Sequence, residues 1–421
     1  MRKITVGDLM HAYGGLGDVD YNVRLHLVLD HKIDGDILKK ALKSTSKRYP
    51  YLCVRILKNE KECYLEDNKE EVCLFNTSNQ IRLNAPESNY HIWAVCYEDD
   101  NLYFDFFHGI CDGTGMYFVL TTLLYYYLSE KFGPISKEGV RTLEDPIDEA
   151  EYTDPMDALP QIDLSKIPAS SIKRTPAFCL LEDAKMTLLE KPINRDLMIS
   201  EKDLLRFTSQ NDASPGTLIS LLLARAVDKV NPKREKDIIS GYVINGRPML
   251  GAPKSHHNCV TTCSFKFSDK IKNMPIDRQC TSYRGMTFLQ SDADAVRKLL
   301  TFSASKCREA LEQPSFEAKK EAYTNIILSG SQFFTFIVSY VGQWKHKEIG
   351  AHIKEFWTHI PDTKRCVVEL AAVNGQIFVS MLQGFKEDVY FKAFLKELDD
   401  NNISYRVKAA KENDVAVFVK P

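Results

Sequence analysis

Apolar and polar residues alternate from Asn22 to Asp30, placing Val23, Leu25, Leu27 and Leu29 on one face of a half-buried strand. The period then changes. After Asp34, residues Ile37, Leu38, Ala41 and Leu42 fall on one side, as in an amphipathic helix with an acidic cap. This helix is predicted to stop near Arg48-Tyr-Pro50, because the residue before a proline avoids the helical region. Tyr51–Leu57, Glu62–Glu66 and His91–Glu98 read as further strands. Leu102–Phe107 is aromatic and apolar, which suits a mostly buried strand. Met116–Leu128 is apolar on nearly every side, as in a helix packed all round. Gly14-Gly-Leu-Gly17 has no strong strand before it and no Lys-Ser/Thr after it, so it reads as a loop rather than a phosphate cradle.

Periodicity fades between Gly133 and Pro176, where Pro134, Pro146, Pro155, Pro160, Pro168 and Pro176 fall among acidic residues. This segment is predicted to be a crossover between domains. The strand-helix pattern then restarts. Phe178–Leu189 and Ile193–Ile199 read as strands. Ser200, with Asp203 three residues on, caps a helix. Ser214-Pro215 opens another, with Leu218, Leu221, Leu222, Ala226 and Val230 as its apolar face. Strands are expected at Ile238–Ile244, Asn258–Phe267 and Phe333–Tyr340, with helices across 277–313 and within 317–328. Lys364–Ala372 and Gln376–Leu382 form a predicted hairpin about Asn374-Gly375, a pair suited to a tight turn. A helix over Lys386–Asn401 and a strand near Val415–Val419 end the pattern.

The chain has 421 residues, which exceeds a single compact core, so two mixed α/β domains are expected, 1–176 and 177–421. A net charge of −2 without a basic run argues against a nucleic-acid binder. No apolar run approaches the length of a membrane span. The first residues, Met1-Arg-Lys-Ile-Thr-Val-Gly-Asp, lack the apolar core of a signal peptide. Eleven scattered cysteines, an odd number, suggest reduced thiols in a cytoplasm.

Candidate chemistry centres on His108, Asp112 and Gly113. A rigid strand ends at His108 and a buried helix begins at Asp112, which fixes an imidazole in place. Gly109, Gly113 and Gly115 would let the backbone turn without a Cβ penalty. Cys111 lies close enough in sequence for a thiol nucleophile with a histidine base, provided the two side chains converge. His256-His257-Asn-Cys-Val-Thr-Thr-Cys263 carries zinc-type ligands, yet its cysteines fit one face of a strand better than a metal knuckle. No metal is assigned.

His108-x-x-x-Asp112-Gly113 resembles the active-site motif of the CoA-dependent acyltransferase superfamily. That superfamily includes chloramphenicol acetyltransferase, plant BAHD acyltransferases, alcohol acetyltransferases and peptide-synthetase condensation domains. The opening strand, helix, Arg48-x-Pro50-x-Leu52 and strand is similar to condensation-type members. The resemblance implies two α/β lobes with an active-site tunnel between them and His108 as general base. It implies that Asp112 pairs with an arginine, for which Arg247 in Asn245-Gly-Arg-Pro248 is the best match. An Asp112 that orients His108, as in a triad, is the alternative. The stretch holding Thr261, Thr262 and Ser264 would line the tunnel floor. Ser339-Tyr-Val-Gly-Gln-Trp344 resembles the Ser-Asn-x-Gly stretch of alcohol acetyltransferases through Ser339 and Gly342. Tyr340 replaces the Asn, leaving Ser339 or a nearby backbone N–H to meet an oxyanion. Phe107 stands where condensation domains usually carry a second histidine, which favours a stand-alone transferase. The implied activity moves an acyl group, acetyl foremost, from an acyl-CoA co-substrate to an alcohol or amine, with no permanently bound cofactor. The rivals are a condensation-like enzyme served by an acyl carrier protein and a catalytically silent binding protein.

Overall fold

A computed structural model describes residues 2–15, 22–167, 175–182, 186–360 and 366–408. Before the crossover lie β1 (Arg2–Lys3), β2 (Asn22–Leu29), β3 (Val54–Lys58), β4 (Cys63–Asp67), β5 (Leu74–Asn76), β6 (Trp93–Glu98) and β7 (Asn101–Phe107). After it come β8 (Leu188–Ser200), β9 (Ile238–Asn245), β10 (Val260–Phe267) and β11 (Phe336–Gln343). They are followed by β12 (Ile353–His359), β13 (Cys366–Val373), β14 (Gln376–Phe385) and β15 (Tyr405–Val407). These strands build a small sheet β1-β4-β3, a five-stranded sheet β12-β2-β7-β6-β5 and a seven-stranded sheet β10-β9-β11-β13-β14-β8-β15.

Each larger sheet has its own apolar core. One core gathers Leu25, Leu27, Phe104 and Phe106 with Met116, Leu120 and Leu124 of the helix after the motif. The other gathers Leu218, Leu221 and Leu222 with Phe265, Val338, Leu370 and Val379. The fold is therefore mixed α/β in two lobes. The lobes are stitched by β12, which runs antiparallel to β2 and places Trp357 opposite His26. Met198, Ala371, Val373 and Phe378 belong to the large sheet but pack into the first core. One face of the large sheet thus looks across at the N-terminal lobe.

The local signals have physical counterparts. Helix α2 (Gly35–Arg48) starts where Asp34 accepts from the backbone N–H groups of Asp36 and Ile37. Ser200 accepts from the Asp203 N–H at 3.3 Å. Asn374 and Gly375 have φ of 50° and 75°, the left-handed pair that a two-residue hairpin requires.

Several expectations need correction. Gly14 and Gly15 end a helix, α1 (Val6–Gly15), whose Leu9, Ala12 and Tyr13 are buried at helical spacing. Gly17 lies outside the described residues. Pro50–Leu52 is a 3-10 turn, so the strand predicted from Tyr51 starts at Val54. Phe178–Leu189 is not one strand, because Leu180–Glu182 is a 3-10 turn and pairing begins at Leu188. There the backbone N–H groups of Ala177 and Phe178 go separately to the Gln332 and Asp237 carbonyls instead of to one neighbouring strand. Neither β12 nor β15 was anticipated, and Val415–Val419 lies outside the described residues. All eleven cysteines are unpaired. No helix among the described residues is long and apolar enough to cross a membrane.

Candidate active site

The turn from β7 into helix α3 (Gly113–Phe132) is shaped by close packing. None of Gly109, Gly113 and Gly115 has a positive φ, so backbone handedness does not explain them. A Cβ on Gly115 would sit 2.3 Å from the His256 carbonyl oxygen and 2.6 Å from Cys111 Sγ. On Gly109 it would strike the Phe107 ring at 2.0 Å. Gly113 differs, since its Cβ would meet only Val341, at 3.9 Å. The first two glycines let other groups press against the turn. The third marks where β11 of the other lobe approaches it.

Asp112 caps α3, accepting from the Gly115 N–H at 3.0 Å. Its carboxylate meets Arg247 in a two-pronged pair, Nη1 to Oδ2 at 2.8 Å and Nη2 to Oδ1 at 2.6 Å. The Cys259 N–H adds a bond at 3.3 Å. Both side chains are at most 5% exposed. Arg247 also donates to the carbonyls of Ser255 and His257, at 2.7 and 2.6 Å. Burial opposes the guanidinium charge, and the Asp112 carboxylate outweighs it, so Arg247 is held above its ordinary range. The expected pair is present, and it ties the His108 turn to the segment between β9 and β10. None of these bonds goes to His108.

His108 is oriented by other means. Its ring stacks on His11 of α1, with centroids 4.5 Å apart and planes 17° from parallel. Its carbonyl accepts from Asn258 Nδ2 at 2.9 Å. Its Nδ1 is buried and has no hydrogen-bond partner among the described residues. Burial, then the neighbouring His108, pushes the pKa of His11 down to about 3. His11 is therefore a neutral platform at pH 7.

Asn258 continues into a charged cluster behind the turn. Its Nδ2 also donates to Asp8 Oδ1 at 2.7 Å, and Asp8 Oδ2 meets His257 Nδ1 at 2.6 Å. His257 Nε2 faces the Tyr152 carbonyl at 2.9 Å, so both ring nitrogens act as donors. Burial works against that charge, and Asp8 outweighs it, raising His257 to about 9. His256 is the opposite case. Buried and facing Arg141 Nη1 at 2.7 Å, it is held well below its ordinary value by burial first and by that cation second. Cys259 and Cys263 are buried thiols, pushed by burial up to about 12 and about 11. The four zinc-type side chains thus serve separate packing and hydrogen-bonding roles.

Cys111 does not converge on His108. Its thiol donates to the His256 carbonyl at 2.9 Å in a fully buried position. Burial, then the charge of Asp112, holds it well above its ordinary pKa.

On the facing lobe, β11 carries a bulge between Tyr340 and Gly342, where Gly342 adopts φ +107°, a conformation that favours glycine. Ser339 precedes the bulge and stands opposite Glu369 of β13. Its hydroxyl hydrogen-bonds to the Glu369 carboxyl. Thr261 shares the face of Cys263, Phe265 and Phe267, whereas Thr262 and Ser264 share the opposite face of β10. The strand registers put Thr262, Ser264, Ser339 and Glu369 on the same face of the sheet, the one that looks at the N-terminal lobe. Ser264 is further fixed by Gln290, whose side chain bonds its N–H at 2.8 Å and its carbonyl at 3.0 Å.

No protein-family model and no curated sequence matches the chain. Solved structures match over nearly its whole length. Polyketide synthase associated protein 5 from Mycobacterium tuberculosis aligns with a TM-score of 0.64 at 12% identity, covering 94% of this chain and 97% of that one. F. sporotrichioides TRI101, complexed with coenzyme A and T-2, aligns at 0.62 and 11% identity, covering 96% and 99%. The starter condensation domain of rhizomide synthetase RzmA, in complex with C8-CoA, aligns at 0.58 and 11% identity, covering 90% and 88%. The chain has the fold of the CoA-dependent acyltransferases.

Within this acyltransferase fold, three neighbours of the candidate site escaped the sequence reading. His11 supports the His108 ring. Glu369 is a lone acid in an apolar strand, which is the one signal that could have flagged it. Tyr117, in the first turns of α3, packs on Trp344 at 4.8 Å and Phe356 at 5.3 Å. Its hydroxyl is buried with no hydrogen-bond partner among the described residues.

Proposed function

We propose that this protein transfers an acyl group, acetyl foremost, from a CoA thioester to an alcohol or amine acceptor. The observation that carries the reading is the His108 turn. A partly exposed imidazole is stacked on a neutral platform, while the neighbouring carboxylate is committed to Arg247. Such an imidazole is free to act as a base without a triad carboxylate. It takes the proton from the acceptor as that oxygen or nitrogen attacks the thioester carbonyl. Collapse of the tetrahedral intermediate expels the CoA thiolate, a good leaving group. A thioester is already activated, so one positioned base and an oxyanion donor suffice. Ser339 is engaged with Glu369, so a backbone N–H at the Gly342 bulge is the favoured donor for the oxyanion.

Acyl-CoA enters as co-substrate. The structural neighbours solved with coenzyme A or C8-CoA support that choice of donor. On this reading the chain divides near residue 176 and a tunnel runs between the lobes. Gly113, Thr262, Ser264 and Gly342 contribute to its wall, and the enzyme works in the cytoplasm. The test is thiol release from acetyl-CoA across a panel of alcohols and amines, with His108→Ala as control. Release that depends on both acceptor and His108 supports the reading. Release unchanged in His108→Ala overturns the assignment of the base. Transfer from an acylated carrier protein but not from CoA would replace the donor.

A further inference from the structure

Glu369 stands in the middle of Cys366-Val-Val-Glu-Leu-Ala-Ala-Val373, a strand buried at every position. Alternation along β13 puts it on the face of Ala371 and Val373, toward the N-terminal lobe. The residue is 8% exposed and counts among the buried polar side chains. Its hydrogen-bond partner is the Ser339 hydroxyl, and among the described residues no cation pairs with it. A buried carboxyl in that state is costly to ionise.

The same row of the sheet shows a different treatment. Ser380, opposite Glu369 on β14, donates to Asp196 of β8. Asp196 is buried too, yet His359 Nε2 lies 3.3 Å away and the charge of Lys408 reaches it. Among the described residues, cations thus reach one carboxylate of the row and none pairs with the other. Glu369 also stands opposite the strand that reaches the His108 turn. Ser339 is two residues before Val341, the residue that approaches Gly113 beside the His108 turn.

We propose that Glu369, with Ser339 beside it, forms an acceptor subsite that takes an ammonium group, so the acceptor of the transfer is an amine-bearing molecule. This rests on the acyl-transfer reading of the same site. The missing cation arrives with the acceptor, and its ammonium donates to the Glu369 carboxylate. Burial raises the pKa of Glu369 to about 7, so the group sheds its proton readily when a cation comes near at neutral pH.

The test uses the full chain with acetyl-CoA and matched acceptors, ω-amino alcohols against diols of the same chain length. Wild type is expected to favour the amino alcohols at least tenfold in kcat/KM. Glu369→Gln should erase that preference, mainly by raising KM for the amino alcohols. Where acceptors do release thiol, an unchanged preference in Glu369→Gln, or none in wild type, overturns the subsite. Binding is read separately from turnover by thermal shift. An amino alcohol should raise the Tm of wild type but not that of Glu369→Gln, and a diol should raise neither. Should the variant fail to fold, wild type decides alone. Its amine-induced shift should grow from pH 6 to pH 8 as Glu369 ionises, the ammonium staying charged throughout, and a flat response counts against the subsite. If no acceptor releases thiol while the amine-specific Tm shift is present, the acyl-transfer reading falls and the cation subsite stands. Equal or absent shifts in both proteins sink the subsite whatever the turnover.

Discussion

Two buried carboxylates, one on each lobe, have been given opposite surroundings. Asp112 is 3% exposed and Glu369 is 8% exposed, so burial does not separate them. Asp112 receives both prongs of Arg247 and two backbone N–H groups. Glu369 receives one hydroxyl. A carboxylate with a full set of donors holds two segments in register and is unavailable for anything else. One that meets no cation among the described residues keeps room for a partner from outside, which is the role proposed for Glu369. The difference teaches that proximity to the His108 turn is a poor guide to role, since Asp112 is the nearer in sequence and the more completely committed.

The sharpest break concerns the proposed base, His108, which is neither of the two carboxylates. His108→Ala should lower the transfer rate by about 10²–10⁴. Its melting temperature should barely move, because Nδ1 makes no hydrogen bond that the substitution would remove. Steady-state kinetics and a thermal melt on one preparation check both halves. A large loss of stability would mean that the stacked His11–His108 pair is a structural element first.

Next comes the committed pair. Asp112→Ala and Arg247→Ala each leave a buried charge without its partner and should each cost about 3–5 kcal/mol. The double variant should lose less than the sum of the singles, because the second change removes the orphan charge. Denaturant melts of the full cycle measure this. Additive losses would show that the two groups act independently and would reopen Asp112 as an orienter of His108.

The uncommitted carboxyl should behave in the reverse sense. Glu369 titrates near 7 in the folded chain against an ordinary value of 4.5. The folded state therefore holds this proton more tightly than the unfolded state does. Its contribution is complete below pH 4.5 and is lost as pH rises through 7. Glu369→Gln removes that loss. The variant should match wild type near pH 4 and exceed it above pH 8, by up to about 3 kcal/mol. A melt series across that range decides. Destabilisation at every pH would mean that the carboxylate has a structural partner.

What could be read in advance follows the range of the interactions. The strand, turn and helix around His108 were legible because neighbouring residues set them: an aromatic run, Asp112 as cap, and an apolar helix. Arg247 was accessible through the short Asn245-Gly-Arg-Pro248 stretch. His11 was not, because α1 mixes Gly7, Asp8 and His11 into a short run, and a stacking partner from a distant segment leaves no local trace. β12 was hidden by its own irregularity. The register shifts between Ile353 and Glu355, which breaks the two-residue period that identifies a strand. Glu369 was visible as an acid within an apolar run. Its meaning depends on the parallel pairing of β11 with β13, which brings Ser339 opposite it.

The smallest expected effect belongs to Cys111, which lies inside the motif and on the proposed mechanism takes no part in the chemistry. Cys111 is fully buried, and its thiol reaches the His256 carbonyl at 2.9 Å. A nucleophilic cysteine needs a thiolate, and here burial and the Asp112 carboxylate both disfavour one. Serine is close in shape and its hydroxyl can make the same bond to His256. Cys111→Ser should therefore cost about 1 kcal/mol, the difference between a buried thiol and a hydrogen-bonded hydroxyl. Transfer activity should stay within a few-fold of wild type, far from the losses expected of a removed base. In the native chain Cys111 should resist iodoacetamide, and mass spectrometry of the digested protein reads this directly. A dead Cys111→Ser beside an active His108→Ala would reverse the assignment. The nucleophile would then be the thiol, and its burial would have to open before each turnover.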